Sequence, residues 1–329
     1  MKAPAFWYDA APSALGGLLS PLGLIYGAAT ALRQRTGKPA RPGVSVVCVG
    51  NLTAGGAGKT PVVIDIARRL TAAGRRPHVI SRGYGGQAGA TPRPVDPDMD
   101  TADTAGDEPL MIAKTAPVWV GGDRPRAAHA AVDAGAGTLV LDDGFQDPSL
   151  AKDLSIVVVD GRYGFGNGFL IPAGPLRETL RAGLARADAL AVIGDDVWGV
   201  ADAARRFGPE NLPVLTARTV PGPEVDQISK TLGLAFAGIG HPEKFFQTLR
   251  DHGCRLAGTK AFPDHHPFSS ADLAALKRRA EALKGVLITT EKDAQRIPVG
   301  DRAGIEVLTI TLQWDDEAAL DRLLQTVKP

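Results

Sequence analysis

Short runs of apolar residues, each followed by a segment with helical spacing, recur along the first two thirds of the chain. The runs are rich in Val, Ile and Leu, which is typical of strands buried on both faces of a parallel sheet. A helix is predicted from about residue 59 to residue 73, directly after the first strand. We therefore predict a parallel α/β sheet flanked by helices, with strands at 44–49, 77–81, 118–121, 138–141, 156–160 and 189–193.

The same pattern restarts after Pro221-Gly222-Pro223, a tripeptide that predicts a hinge. The segment that follows is long enough for a second, smaller α/β domain. Its predicted strands lie at 232–238, 255–262, 286–289 and 305–310, and its predicted helices at 241–251, 270–283 and 316–326.

Two segments lack any regular pattern and are predicted to be loops. Residues 87–106 are rich in Pro, Asp, Thr and Gly and are expected to be mobile, and residues 161–175 contain five glycines. The predicted organisation is a membrane-associating N-terminal segment at 1–40, a core domain at 41–222 and a smaller domain at 223–329.

The N-terminal segment differs from the rest of the chain because no charged residue occurs between Asp9 and Arg33, and a basic stretch to Arg41 follows. A secretory signal would carry its basic flank before the apolar stretch. A spanning helix is possible by length, but Pro21 in the middle disfavours it. We predict a segment that places apolar side chains in the lipid boundary and basic residues on anionic headgroups. A helical hairpin packed on the protein's own core is the alternative.

Composition narrows the class of protein only slightly. The 329 residues are 44% hydrophobic and 22% charged, as in ordinary globular proteins, and the net charge is +1. A chain without a basic surplus is not expected to bind nucleic acid. Its two cysteines, Cys48 and Cys254, belong to no metal-spaced cluster, so a reducing compartment is expected.

The most informative motif follows the first predicted strand. Residues 50–60, Gly-Asn-Leu-Thr-Ala-Gly-Gly-Ala-Gly-Lys-Thr, form a glycine-rich turn between a strand and a helix. Backbone N–H groups and the helix dipole converge there, and glycine lets the backbone wrap phosphate oxygens. Lys59 is suited to reach the β- and γ-phosphates, and the Thr60 hydroxyl to bind Mg²⁺. Although the usual spacing has Gly at position 53, the motif predicts a nucleotide site at Thr53, Gly55, Gly56, Ala57, Gly58, Lys59 and Thr60.

A second motif supports the first. Residues 138–144 form an apolar strand that ends in Asp142, Asp143 and a glycine. In P-loop proteins a carboxylate at such a strand end completes the Mg²⁺ shell. Asp-Asp-Gly alone is a common turn, so the prediction of a metal site at Thr60, Asp142 and Asp143 depends on the Gly-Lys-Thr sequence.

Other polar groups allow two interpretations. Asp107-Glu108-Pro109 is typical of an ordinary acidic first turn of a helix, and it could also supply a carboxylate that accepts a proton near the γ-phosphate. Asp264-His265-His266 lacks further ligands at zinc spacing, which leaves a general base or two surface histidines. Arginines also follow several predicted strands, where they suit phosphate contacts or simple solvation, at positions Arg82, Arg124, Arg126 and Arg177.

In this order, these segments resemble the tetraacyldisaccharide 4′-kinases of lipid A biosynthesis. Thr53 in place of glycine is itself typical of that family. The resemblance extends over nearly the whole chain, at 49–61, Ser-Arg-Gly-Tyr-Gly (81–85), Gly-Asp-Glu-Pro (106–109), Asp-Asp-Gly-Phe-Gln (142–146), Pro-Leu-Arg-Glu (175–178), Asp-His-His (264–266) and Thr-Thr-Glu-Lys-Asp-Ala (289–294).

The resemblance implies phosphorylation of the 4′-hydroxyl of a tetraacylated glucosamine disaccharide 1-phosphate to give lipid IVA, with ATP and Mg²⁺, at the cytoplasmic face of the bacterial inner membrane. The implied partners are this lipid and the membrane surface. Asp107 would be the catalytic base, paired with His265, or alternatively His266, from the smaller domain. Lys59 would act at the phosphates and Arg124 would steady them. Residues implied to line the substrate or the interdomain region are Arg82, Tyr84, Gln146, Arg177, Glu178, Glu291 and Lys292.

The chief alternative is a P-loop GTPase or ATPase switch of the metal-insertion or targeting type. Guanine-binding proteins use Asn or Thr, then Lys, any residue and Asp, whereas Lys292 and Asp293 are adjacent here. Ala54 also stands where that group carries an additional lysine. A membrane-anchored binding module without chemistry would have no need for an Asp107–His265 pair. The sequence therefore favours the kinase.

Overall fold

The computed structural model describes residues 4–9, 13–86, 89 and 91–328, which form two α/β units. The strands are β1 (Ser45–Gly50), β2 (Pro77–Ser81), β3 (Arg93–Pro94), β4 (Val118–Val120), β5 (Thr138–Asp142), β6 (Leu154–Asp160), β7 (Ala189–Ile193), β8 (Val214–Pro221), β9 (Leu232–Ala237), β10 (Arg255–Ala261), β11 (Val286–Thr290), β12 (Ile305–Leu308) and β13 (Ile310–Trp314). The α-helices are α1 (Ala14–Thr36), α2 (Lys59–Ala72), α3 (Ala102–Ala105), α4 (Asp107–Ala113), α5 (Arg124–Asp133), α6 (Leu180–Leu184), α7 (Val200–Phe207), α8 (Val225–Ile228), α9 (Pro242–Asp251), α10 (Ser270–Ala282), α11 (Glu291–Gln295) and α12 (Glu317–Gln325).

The larger unit is built on a nine-stranded sheet in the order β13-β8-β7-β6-β1-β5-β2-β4-β3. Neighbouring strands are parallel except at the two edges, where β13–β8 and β3–β4 are antiparallel. Strand β1 lies in the interior, between β6 and β5. The turn that follows β1 therefore opens at the carboxyl edge of the sheet, where α/β proteins bind ligands. The predicted parallel α/β fold is confirmed.

Two apolar cores cover the two faces of this sheet, because successive side chains of a buried strand point to opposite faces. In β1, Val47 and Val49 join the core under α2, α4 and α12, whereas Val46 and Cys48 join the core under α5, α6 and α7. Cys48 is thus a buried apolar side chain, as its position in an apolar run predicts.

The smaller unit is a four-stranded parallel sheet in the order β10-β9-β11-β12. Helix α9 covers one face through Phe245 and Phe246, and α10 covers the other through Leu273 and Leu276. This second α/β unit has the strands and helices that the sequence predicts, with one exception at its end.

The exception is the predicted boundary of the smaller domain at residue 329, which is wrong. Strand β13 pairs antiparallel with β8 in the large sheet, and α12 packs Leu320 and Leu324 into the large core. The Trp314 indole N–H also donates to Asp65 Oδ2 on α2 at 2.8 Å. The chain therefore leaves the large unit after β8 and returns to it before β13. These two crossings between the units lie side by side, and Gly222 N–H of the first donates to Thr309 C=O of the second at 2.9 Å. The predicted hinge lies at this crossing.

The predicted mobile loop at 87–106 contains regular structure in its described part. Strand β3 pairs with β4, and the Arg93 guanidinium holds both oxygens of Asp100 at 2.7 Å. This bidentate pair fixes the loop between β3 and α3. Residues 87, 88 and 90 lie outside the described part of the chain.

The N-terminal apolar segment forms α1, a single helix of 23 residues that includes Pro21, so the alternative of a hairpin is wrong. Pro21 has no N–H for the Gly17 carbonyl, and the Ser20 hydroxyl donates to that carbonyl instead at 2.9 Å. A Cβ on Gly27 would lie 2.6 Å from Leu170 Cδ1, so glycine allows the helix to approach the core. The helix is long and apolar enough to cross a membrane. Its large apolar side chains are exposed at Leu15, Leu18, Leu22, Leu24, Ile25, Tyr26 and Leu32.

Candidate active site

The glycine-rich turn (residues 50–60) lies between β1 and α2. Gly55 and Gly58 have φ values of 115° and 81°, which favour glycine, and a Cβ on Gly56 would meet nothing within 4 Å. The buried Asn51 amide donates to Thr53 C=O at 2.8 Å and so braces the turn from inside. The turn thus presents open backbone at the N-terminus of α2, which is a geometry suited to an anion.

A segment of the Pro-Leu-Arg-Glu motif supports the turn from outside. Thr53 forms an antiparallel bridge with Leu176, Ala54 N–H donates to Pro175 C=O at 2.8 Å, and Arg177 N–H donates to Leu52 C=O at 2.8 Å. Extended backbone at position 53 requires no glycine. This pairing explains why Thr53 stands where the usual motif has Gly.

The two carboxylates predicted to bind metal lie beside the turn. Asp143 Oδ1 is 3.6 Å from Lys59 Nζ and accepts a hydrogen bond from Arg177 at 2.9 Å. Burial favours the neutral acid, but the charges of Lys59 and Arg177 prevail and hold the pKa of Asp143 below its ordinary value. Asp142 is buried and accepts a hydrogen bond from Ser81 Oγ at 2.9 Å. Burial and the negative charges of Glu108 and Asp143 raise the pKa of Asp142 to about 7.

These residues fit a magnesium ion that is shared with a nucleotide. Within the described part of the chain, no group of three or more His, Cys, Asp and Glu side chains could enclose an ion by itself. Mg²⁺ is usually held by one or two carboxylates together with substrate phosphates and water. The raised pKa of Asp142 also marks a carboxyl that a nearby cation would stabilise as its anion. Asp142, Asp143 and the Thr60 hydroxyl are thus a suitable donor set.

Arg124 occupies a different place from the one predicted. Its side chain is 1% exposed, and its amino groups bond to Asp147 Oδ2 at 2.6 Å and to the carbonyls of Asp142 and Asp143 at 3.2 and 2.8 Å. The buried Arg124 guanidinium thus fixes the backbone carbonyls of Asp142 and Asp143. The expected direct contact with phosphate is therefore corrected to an indirect role.

The residues expected to line the substrate region fall into two groups. Gln146 donates to Asn51 C=O at 2.8 Å and to Glu178 at 3.0 Å, and Glu178 pairs with Arg186 at 2.6 Å, so Gln146 and Glu178 support the turn from within the fold. Tyr84 is 77% exposed, and Arg82 is more than half exposed with one contact to Asp147 at 3.4 Å. Tyr84 and Arg82 are free to contact a ligand.

The structure brings Asp107 and His265 together across the two units. Asp107 opens α4 and is buried, and its Oδ2 lies 3.1 Å from His265 Nδ1. His265 has a φ of 56°, and its N–H donates to Gly238 C=O at 3.0 Å, which turns the ring toward the large unit. Burial favours the neutral acid, but His265 together with the charges of Lys292 and Arg296 lowers the pKa of Asp107.

His266 points away from this contact. Its ring stacks on Phe262 at 4.6 Å, and its Nε2 lies 3.2 Å from Asp272 Oδ2 at the start of α10. Asp272 also belongs to the capping box of that helix. His266 therefore has a structural environment, whereas His265 faces the carboxylate.

Ion pairs hold the same interface on either side of Asp107. Lys292 Nζ is 2.8 Å from Glu108 Oε1 and 3.9 Å from Asp107 Oδ2, and Glu291 pairs with Lys114 at 2.9 Å. Burial disfavours the Lys292 ammonium, but Glu108 and Asp107 outweigh this and raise its pKa. Glu291 and Lys292 thus form ion pairs between the two units.

Several residues of the site escape the sequence patterns. Arg296 lies one contact from the predicted Asp107, but a single arginine carries no spacing signal. Ser81 belongs to the 81–85 motif, but its hydrogen bond to Asp142 depends on the pairing of distant strands. His241 stacks on Tyr163 at 4.5 Å and forms a further contact between the units. Tyr163 in turn packs on Tyr8 of the N-terminal segment at 5.1 Å.

A Gly-Lys-Thr turn at the carboxyl edge of a parallel sheet, with two carboxylates beside it, defines a P-loop nucleotide-dependent enzyme. A second unit presents a histidine to a buried aspartate of the first. The chain belongs to the tetraacyldisaccharide-1-P 4′-kinase family, whose model matches residues 15–328.

Relatives and a solved structure agree with this membership. The chain is 51% identical over 327 residues to the tetraacyldisaccharide 4′-kinase of Paramagnetospirillum magneticum, covering 99% of each chain. It is 50% identical to the enzyme of that name from Rhodospirillum centenum, covering 98% of this chain and 96% of the relative. The crystal structure of LpxK from Aquifex aeolicus in complex with ATP matches with a TM-score of 0.77 and 25% identity, over 95% of this chain and 100% of that chain. The resemblance drawn from the sequence is confirmed, and the GTPase or ATPase switch is not favoured.

Proposed function

We propose that this chain uses Mg-ATP to phosphorylate the 4′-hydroxyl of a tetraacyldisaccharide 1-phosphate in lipid A biosynthesis. Family membership supplies the reaction, and one observation carries its mechanism. Asp107 of the large unit lies 3.1 Å from His265 of the small unit, at the edge of the sheet that carries the glycine-rich turn. Glu108, the neighbour of Asp107, acts electrostatically on Asp142, so this pair and the predicted metal ligands share one site.

The Asp107–His265 pair is suited to accept the proton of the sugar hydroxyl. Such a hydroxyl is a poor nucleophile at neutral pH, and a positioned base accelerates its attack by about 10²–10⁴-fold. The lowered pKa keeps Asp107 ionised, so it holds the imidazole in place. Asp107 is 3% exposed and the side chain of His265 is 35% exposed, so an acceptor reaches the imidazole first.

The glycine-rich turn binds the phosphates. Its N–H groups and Lys59 stabilise the negative charge that develops on the transferred phosphoryl group. Mg²⁺, held by Thr60, Asp142 and Asp143, would neutralise charge on the β- and γ-phosphates. Arg177 keeps Asp143 oriented through its 2.9 Å hydrogen bond.

The division of the site between two units makes their closure a condition for turnover. His265 leaves Asp107 whenever the small unit moves away on the crossings at Gly222 and Thr309. ATP bound to the turn in that open state has no complete acid-base pair beside it. Closure on the acceptor therefore protects ATP from hydrolysis.

Helix α1 is proposed to bring the active site to the membrane. The acyl chains of the substrate remain in the bilayer, and α1 exposes seven large apolar side chains. Basic residues at the end of the helix, including Arg33 and Arg35, suit anionic headgroups. Because ATP is supplied in the cytoplasm, the cytoplasmic face of the inner membrane is the proposed location.

The reaction is tested by incubating the purified protein with Mg-ATP and the disaccharide 1-phosphate in mixed micelles. A mass gain of one phosphate is expected, and Lys59→Ala should reduce the rate by at least about 10²-fold. Lys230→Ala, which removes an exposed lysine of the small unit, is the matched control and should leave the rate unchanged. Turnover of GTP in strong preference to ATP, without modification of the lipid, would support the switch instead.

A further inference from the structure

Two buried polar atoms face each other across the interface without a hydrogen bond. Arg296 Nε of the small unit lies 3.6 Å from Asp107 Oδ2 of the large unit. Arg296 Nε has no hydrogen-bond partner among the described residues, whereas Asp107 Oδ2 has His265 Nδ1 at 3.1 Å. A buried polar atom without a hydrogen bond destabilises the fold. The gap between Arg296 Nε and Asp107 Oδ2 is explained if the two atoms form a hydrogen bond in a more closed conformation of the two units.

Arg296 cannot swing away from Asp107, because the rest of its guanidinium is fixed. Both amino groups donate to Gly238 C=O at 3.0 Å, and one also pairs with Asp293. Asp293 is fully buried and accepts the N–H of Gly238 at 3.0 Å and the Thr290 hydroxyl at 2.7 Å. The remaining N–H of the planar fork, at Nε, therefore has a set direction toward Asp107.

The same anchor holds the histidine of the site. Gly238 C=O, which accepts both amino groups of Arg296, also accepts the N–H of His265. A shift of the guanidinium would thus move the loop that carries His265 together with Nε. Arg296 links the two groups of the small unit that approach Asp107.

We propose that Arg296 is a positioning residue that donates its Nε–H to Asp107 Oδ2 when the units close. A hydrogen bond needs a separation of about 2.7–3.2 Å, so a closure of roughly half an ångström or slightly more is sufficient. That movement would give the Arg296 Nε–H its missing partner and would give Asp107 Oδ2 a second donor beside His265. The proposal rests on the proposed kinase reaction, because only that reaction uses the Asp107–His265 pair.

The charges around Asp107 agree with this role. The small unit presents His265, Lys292 and Arg296 to it, and the only acidic neighbour given by its own helix is Glu108, which is paired with Lys292. Arg296 contributes to the lowering of the pKa of Asp107. Unlike the histidine, an arginine keeps its charge at every pH of interest.

The test compares Arg296→Gln with Arg296→Lys in the lipid kinase assay. Arg296→Gln should lower kcat by at least about tenfold, leave the KM for ATP within about twofold, and move the acidic limb of the pH–rate profile to higher pH, because a positive charge beside Asp107 is lost. Arg296→Lys restores the charge without the fork, so the acidic limb should return toward the wild-type position while kcat recovers only in part. The double variant Arg296→Gln/Asp293→Asn removes the stranded carboxylate and should show the same displaced limb as Arg296→Gln. Arg278→Gln, at an exposed position on α10, is the control and should match the wild type.

The outcomes separate this proposal from the function itself. A wild-type enzyme without lipid kinase activity would contradict the function, whereas an active wild type with Arg296→Gln at wild-type kcat would overturn only the role of Arg296. A lower kcat with an unshifted acidic limb would assign Arg296 a merely structural role and would also overturn it. If Arg296→Gln does not fold, Arg296→Lys decides, since unchanged kcat and pH profile there would contradict the need for the fork.

Discussion

Asp107→Asn tests the acid-base pair with almost no change of shape. The substitution removes the negative charge that faces His265 at 3.1 Å, Arg296 at 3.6 Å and Lys292 at 3.9 Å, and it leaves a side chain of the same size. The glycine-rich turn is supported by the 175–177 segment and by Asn51, and none of these contacts involves Asp107. The phosphates should therefore bind the variant as they bind the wild type.

The magnitude follows from the role of the pair. Loss of a positioned base costs about 10²–10⁴ in rate, which corresponds to about 3–5.5 kcal/mol of transition-state free energy. We expect kcat to fall within that range while the KM for ATP changes by no more than about threefold. Steady-state release of ADP coupled to formation of phosphorylated lipid measures both constants.

The control is Asp103→Asn, which removes an exposed carboxylate four residues earlier in the chain, on α3, and should behave as the wild type. If Asp107→Asn keeps kcat within about threefold of the wild type, the pair has no catalytic role. If the variant instead loses ATP binding with kcat unchanged, Asp107 belongs to the nucleotide site, and the division of labour between the two units is refuted.

Two further predictions concern the metal ligands and the membrane. The pKa of Asp142 in the folded protein, about 7, exceeds its ordinary value of about 3.9, so its contribution to stability is full below about pH 4 and is lost as the pH rises to about 7. Asp142→Asn should accordingly raise the Tm of the metal-free protein at pH 8 in a thermal-shift assay and abolish turnover; an unchanged Tm would contradict the assigned protonation. Replacing Leu18, Leu24 and Ile25, three exposed residues of α1, by serine should weaken binding to anionic vesicles by at least about tenfold, because each side chain buried in lipid contributes about 1.5–3 kcal/mol. Met99→Ser, at an exposed apolar site outside α1, is the control and should leave binding unchanged. Undiminished co-sedimentation of the triple variant with the vesicles would exclude α1 as the anchor.

Features that depend on local backbone geometry were accessible from the sequence. The turn at 50–60 combines glycines of positive φ with a helix start at Lys59, and the residues that create this geometry are contiguous. The strand that ends in Asp142 and Asp143 is also local, and its place beside β1 follows from the parallel sheet. Fold class and the nucleotide half of the site were therefore predictable.

Features that depend on distant packing were not. Strand β13 belongs to the large sheet because it meets β8 about 90 residues earlier in the chain, and no local pattern encodes that pairing. An arginine after a strand can point inward or outward, and Arg124 points inward to the carbonyls of the two aspartates. Which of His265 and His266 faces Asp107 depends on Asp272 of α10, because the Asp272 carboxylate contacts the ring of His266.

In the proposed reaction, an acid-base pair from two units directs a carbohydrate hydroxyl at a phosphate held by the glycine-rich turn. A crystal structure with a non-hydrolysable ATP analogue, Mg²⁺ and the disaccharide 1-phosphate measures this directly. We expect the 4′-oxygen within about 2.6–3.2 Å of His265 or Asp107 and in line with the γ-phosphorus. A closed complex with the 4′-oxygen more than one water molecule away from both side chains would contradict it.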